Sequence, residues 1–342
     1  MTDKLSLIAE PLITWFDRNC RPLPWRRDRE PYHVWISEIM LQQTRIEAVM
    51  RYYERFMDAL PDVNALAQVD DDTLLKLWEG LGYYSRARNL KKAAQVIVNE
   101  YGGTFPKSYD ELKKLPGIGE YTAGAIASIC YDEKAPAVDG NVLRVIARLT
   151  GSRENVLLPQ VKRDFSERLR AIMPDRAGRF NEGLMELGEL VCLPNGAPYC
   201  ERCPLFGQCT AFKEKLTGEI PVRIKTSKRR REDRTILLLR TPDDRLALEK
   251  RPASGLLAGM YQLPNLDGFL DETALTKQLT EWGLVPENIR FTKEMKHVFT
   301  HIDWYMKGYE VTVKGTSTRF LWVTREERER AYPLPAAFQK ML

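Results

Sequence analysis

The chain has 342 residues, a length that favours two domains over one core. Hydrophobic residues make up 44% and charged residues 29%, which excludes a disordered chain. No apolar run approaches twenty residues and no amino-terminal signal segment is visible, so a membrane protein is excluded and the cytoplasm, or another reducing compartment, is the expected location.

The net charge of +5, from 52 basic and 47 acidic residues, does not by itself establish a polyanionic partner. Residues 1 to about 215 carry helical periodicity. The first informative stretch is WISEIMLQQT at 35–44, where Glu38 sits among Trp35, Ile36, Ile39, Met40 and Leu41. A carboxyl so placed is desolvated, which raises its pKa and makes it a usable general acid; the bland alternative is a glutamate on a solvated helix face. Gln42 and Gln43 follow, with paired donors and acceptors suited to base edges, and Thr44 closes the motif.

LLKLWEGL (74–81) reads as helical, with Asp71 and Asp72 as its start signal. GLGYYSRARN (80–89) then places glycines, tyrosines and arginines together. Aromatics such as Tyr83 can stack on bases or wedge into an opened duplex, and arginines hold phosphates; Leu81 lies in the same motif. NLKKAAQVIVNEY (89–101) is again helical.

LPGIG (Leu115, Pro116, Gly117, Ile118, Gly119) joins two helices. Its glycines let backbone amides point outward at a helix start, a grip for phosphate that reads no sequence; a plain tight turn is the alternative. A cation at this hairpin is a further candidate. Twenty residues on, VDGNV (138–142) places Asp139 before a helix, where it is a good cap. Backbone amides would also keep its pKa low, so that a fixed anion could stabilise an oxocarbenium-like transition state. Asn141 is the neighbouring candidate.

After a helical run (180–191), four cysteines follow with gaps of seven, two and five: Cys192, Cys200, Cys203 and Cys209. Four soft thiolates on a Pro- and Gly-rich loop suit an iron–sulfur cluster or a structural zinc, and the spacing does not choose between them. Two disulfides, disfavoured in a reducing compartment, or four unrelated buried thiols are the alternatives. Cys20 and Cys130 read as core residues. Residues 216–233 form a basic linker, VRIKTSKRRREDR at its end, either a solvated tether or a phosphate-contacting strap. Beyond it, strand-like runs at 235–240, 245–250, 309–313 and 320–324 flank a helix at 272–283.

Together with LPWR (23–26) and FNEGLMELGELVC, these motifs resemble the adenine DNA glycosylase (MutY) family of the helix-hairpin-helix, endonuclease III superfamily. The resemblance implies a mainly α glycosylase domain at 1–215, with the hairpin at about 108–130 and an iron–sulfur loop at 192–209. An α+β, Nudix-like domain for reading the lesion would follow at 234–342. It implies a [4Fe–4S] cluster on the four cysteines and base excision repair by a monomer on double-stranded DNA. Adenine opposite 8-oxoguanine or guanine would be flipped out and hydrolysed. Glu38 matches the catalytic acid, Asp139 the carboxylate beside the sugar cation, and Tyr121 a supporting tyrosine. Leu23, Trp25, Arg26, Gln43 and Glu182 match the adenine pocket, and Tyr83 the wedge. Phe299, Thr300 and His301 match the loop that reaches the lesion, with threonine in place of the usual serine. Relatives with lyase activity hold a lysine where Tyr121 stands, so a monofunctional enzyme is expected. The stretch at 259–279 lacks the glutamate-rich core of a working Nudix hydrolase. An endonuclease III-like lyase, a thymine-mismatch glycosylase and a non-catalytic cluster protein are the competing readings.

Overall fold

The structure is a computed structural model that describes residues 4–224 and 229–342. Two compact units emerge: Met1–Gln68 with Asn89–Thr226, and Val69–Arg88 with Ser227–Leu342.

The first unit is helical. At its centre lies the Glu120–Tyr131 helix, buried without interruption from Thr122 to Ile129. Its small residues permit that burial. A Cβ on Gly124 would come within 2.4 Å of the Pro136 carbonyl oxygen, so only glycine allows the approach. The Pro31–Leu41 helix is likewise apolar nearly all round, as a helix with no solvent face must be. The Gly140–Thr150 and Ala177–Leu190 helices are more amphipathic and share a core with Leu12, Ile13, Val142, Phe180 and Leu184. Asp139 caps the Gly140–Thr150 helix as its position suggested. Cys20 caps the end of the Ala9–Asn19 helix and Cys130 lies in the last turn of the central one; both are half-buried free thiols at the margin of the core rather than within it.

The second unit is a mixed sheet. Its strands are β1 (Arg230–Arg240), β2 (Leu246–Lys250), β3 (Tyr261–Gln262), β4 (Asn265–Asp267), β5 (Val285–Val298), β6 (Ile302–Lys314) and β7 (Leu321–Val323). The order is β3-β2-β1-β6-β5, with β4 beside β1 and β7 beside β2. Among the described strands only β1 and β6 run parallel, from Arg230 opposite Ile302 to Arg240 opposite Thr312. Ile236 and Leu238 pack on one face against Trp304 and Phe338. Leu237 and Leu239 pack on the other against Leu275 and Leu279 of the Glu272–Glu281 helix. Both faces are covered, so the strand reads as an unbroken apolar run.

Two boundaries differ from the sequence reading. β1 begins at Arg230, inside the segment expected to be linker, because Arg230 to Asp233 continue the ladder with β6. Residues 225–228 of that linker lie outside the described residues. Second, Val69–Arg88 belongs with the sheet unit. There Lys250 Nζ lies 2.7 Å from Asp72 Oδ1, and Glu79 Oε1 accepts the Leu334 amide at 2.7 Å. The Asp71–Leu77 helix is capped by Asp70, one residue earlier than expected, whose carboxylate accepts the Thr73 amide.

Candidate active site and cysteine loop

A cleft of about 1090 Å³ opens in the helical unit, slightly above the ~300–1,000 Å³ typical of ligand sites. Glu38, Tyr121 and Asp139 all line it. Glu38 is 7% exposed, held inside by the apolar helix that carries it. Tyr121, in the first turn of the central helix, donates its hydroxyl to Glu38 Oε2 at 2.5 Å. Burial pushes the Glu38 carboxyl up to about 7; the Tyr121 hydrogen bond opposes this, and the charges of Asp139 and Glu182 add to it. Burial, with Glu38 and Asp139 nearby, carries the Tyr121 phenol well above its ordinary value, so it stays a neutral donor.

Asp139 accepts the Val142 amide at 2.8 Å through Oδ1 and the Asn141 side chain at 3.0 Å through Oδ2. The expected low pKa is corrected here. Burial raises it, and these hydrogen bonds offset only part of the effect. Asn141 is itself fixed on three sides. It donates to Glu189 Oε1 at 2.9 Å and accepts from Arg144 Nη2 at 2.8 Å. Arg144 also reaches the carbonyls of Gly188 (2.9 Å) and Cys192 (2.7 Å).

Leu23, Trp25 and Arg26 line the same cleft from a short 3-10 turn and its N-cap. Arg26 sits 3.1 Å from Glu182 and 3.0 Å from Glu186, and Arg21 pairs with Glu186 at 2.8 Å. Burial raises Glu182, with Arg26 opposing. Burial acts the same way on Glu186, but Arg21 and Arg26 outweigh it and bring the carboxyl down to about 2. Gln42, Gln43, Thr44 and Asn141 complete the predicted set in this cleft. The sequence reading missed Glu186 and Glu189. With Glu182 they stand four and three residues apart, one face of one helix, and that spacing was a usable signal.

At the hairpin, Leu115 and Ile118 are buried, so their side chains serve the core; Gly117, with φ +75°, and Gly119 are the exposed members. Leu81, Tyr83, Phe299, Thr300 and His301 belong to the sheet unit. There Thr300 Oγ1 donates to the Tyr83 hydroxyl at 3.4 Å.

The four cysteines are all free thiols. Burial pushes Cys203 up to about 12, and the nearby charges of Cys192, Cys209 and Cys200 push the same way. Ionising such crowded, partly desolvated thiols needs a cationic centre to offset the charge, the condition an iron or zinc group meets. The Leu205 amide and Arg148 Nη1 donate to Cys203 Sγ and Cys192 Sγ at 3.4 and 3.2 Å, as donors around metal-bound sulfur do. Among the described residues, no group of three or more His, Cys, Asp or Glu stands in position to hold a single ion. No described helix is long and apolar enough to cross a membrane.

Comparison with known proteins places these features. Residues 36–171 match the HhH-GPD superfamily of base excision DNA repair proteins, and residues 235–342 match the NUDIX domain. The human adenine DNA glycosylase is 32% identical over 92% of this chain and 70% of its own length. That of Buchnera aphidicola from Schizaphis graminum is 35% identical, over 87% of this chain and 85% of its own. The Arabidopsis thaliana enzyme is 36% identical over 85% of this chain, which spans 55% of that relative. Among solved structures, a thermostable thymine-DNA glycosylase superposes with a TM-score of 0.56 at 29% identity, covering 62% of this chain and 97% of its own. A non-covalent endonuclease III–DNA complex gives 0.53 at 25%, covering 63% and 99%. Matches of this extent to the curated enzymes, with both domains in order, establish that the chain belongs to the adenine DNA glycosylase family.

Proposed function

We propose that this chain, acting as a monomer on double-stranded DNA, flips out adenine opposite 8-oxoguanine or guanine and hydrolyses its glycosidic bond without a lyase step. The observation that carries this reading is Glu38, a carboxyl poised near neutral pH, sharing one cleft with Asp139. At pH 7 about half of such a group holds its proton. Glu38 gives that proton to a purine ring nitrogen, and the base leaves as neutral adenine. The deoxyribose becomes an oxocarbenium ion, whose charge favours the ionised form of Asp139 despite its burial. Glu38, now a carboxylate, takes a proton from the water that attacks the sugar. Tyr121 keeps Glu38 oriented and offers no amine for a Schiff base. The hairpin glycines grip phosphate, and the loop at Phe299–His301 reads the opposite base.

Cys192, Cys200, Cys203 and Cys209 would hold a [4Fe–4S] cluster. Hydrolysis moves no electrons, so its task would be to shape the loop. Purified protein should then contain about four iron and four sulfide per chain; zinc in their place would refute the cluster. The functional test is excision under single-turnover conditions on duplexes with adenine opposite 8-oxoguanine, guanine or thymine. Free adenine and an intact abasic strand are expected from the first two. Thymine release from a thymine–guanine duplex assayed alongside these, or efficient borohydride trapping of a protein–DNA adduct, would favour the thymine-mismatch or lyase reading.

A further inference from the structure

The turn that carries Tyr83 has an unusual backbone. Gly80, Gly82 and Tyr83 have φ of +102°, +70° and +48°. Glycine enters that region freely, but a tyrosine does so only where its surroundings hold it there. The ring is nevertheless 44% exposed, so burial of the tyrosine does not explain the conformation. The restraint comes from beneath. Arg86, 9% exposed in the first turn of the Ser85–Tyr101 helix, folds back under the turn. Its Nη2 donates to the Leu81 and Gly82 carbonyls, each at 3.1 Å. Its guanidinium carbon lies 5.3 Å from the Trp78 ring centroid and 5.6 Å from that of Tyr83. Trp78, fully buried, adds an indole N–H bond to the Gly82 carbonyl at 3.2 Å. Burial lowers Arg86 to about 10, which leaves it cationic at neutral pH.

We propose that Arg86 is a positioning residue for base-pair discrimination: its guanidinium locks the Gly80–Tyr83 turn, so that the Tyr83 ring stands out beside the lesion and its hydroxyl meets Thr300. This rests on the reading that Tyr83 is the wedge at the lesion. One nitrogen, Nη2, bridges the two successive carbonyls, and the rest of the flat guanidinium lies by two rings; a lysine ammonium could donate to the carbonyls but has no planar face to lay against the rings.

The test is a double-mutant cycle with R86K, Y83A and the combined variant in the full chain. It reads the ratio of excision at sub-saturating enzyme on adenine opposite 8-oxoguanine and opposite guanine, together with the maximal single-turnover rate and thermal melting. R86K should lose about tenfold of the preference, the scale of one well-placed contact, while the maximal rate at saturating enzyme holds within about threefold. Because Arg86 acts through Tyr83, the combined variant should lose no more than Y83A alone. If Y83A is harmful and R86K is silent, or if the two losses multiply, the positioning role is overturned. If Y83A itself leaves the preference intact, the wedge reading falls and takes this inference with it. Should R86K fail to fold, W78F, which removes the indole bond to Gly82 and part of the ring that Arg86 lies against, should shift the preference in the same direction; an unchanged ratio would overturn the proposal.

Discussion

Position 38 sets stability against chemistry. A carboxyl whose pKa rises from 4.5 to about 7 on folding makes the native state bind the extra proton between those values. Stability therefore falls as pH rises through that window, by on the order of 3 kcal/mol once pH exceeds 7. E38Q should remove this cost. Its gain in stability over the parent should be near zero at pH 4 and largest at pH 8, measured by urea unfolding at both; a gain independent of pH would contradict the assignment. Asp139 divides differently, because it is both cap and anion. Asparagine caps helices about as well, so D139N should keep its melting temperature within a few degrees. Loss of the negative charge should nevertheless slow excision by about 10²–10³-fold, judged by the cost of losing one electrostatic stabiliser. A large drop in melting temperature would mean that the cap was misjudged. Both acids were legible in the sequence, Glu38 from its apolar neighbours and Asp139 from its place before a helix. The pKa of Asp139 was not. It depends on how deeply the rest of the chain buries the site, and no local motif encodes that.

Among the elements, the Ala177–Leu190 helix lines the cleft with three acids. Glu182, Glu186 and Glu189 come from one face of it and hold Arg21, Arg26 and Asn141. E186A would leave Arg21 and Arg26 without their shared buried partner, at a cost of about 3–5 kcal/mol. Denaturation should show that loss, and E186Q should recover only part of it because glutamine lacks the charge. The sheet was less legible. β5 escaped notice because it is an edge strand whose residues are mostly exposed, so no apolar alternation marks it. Pro286, Lys293, Lys296 and two register shifts along β5 discourage a further strand from pairing there, and they are the same features that hide it from pattern reading. The basic run that leads into β1 was read as either a solvated tether or a strap for phosphate. In the fold, Arg231 pairs with Asp233 at 2.8 Å and lies over Tyr305, so part of that charge is spent inside the unit.

For the chain as a whole, sequence order and spatial grouping part company at Val69–Arg88. The motifs gave the glycosylase and Nudix-like parts in order, yet nothing local could reveal that a segment inside the first would pack with the second. Its anchors, Asp72 to Lys250 and Glu79 to the Leu334 amide and the Gln339 side chain, lie more than 170 residues away in sequence. A chain ending at residue 224 lacks all of these partners. Amides of the Asp71–Leu77 helix should then exchange with deuterium at least tenfold faster than in the full chain, while those of Glu120–Tyr131 stay protected. Equal protection in both chains would mean that the segment is held by the helical unit alone.

The most direct test of the chemistry is the single-turnover rate of adenine release from a duplex with adenine opposite 8-oxoguanine, followed from pH 5 to 9 for the parent and E38Q. The parent should lose rate as pH rises through about 7, where Glu38 gives up its proton. E38Q should bind the duplex and release no adenine at any pH. Excision by E38Q within tenfold of the parent rate would show that the proton comes from elsewhere.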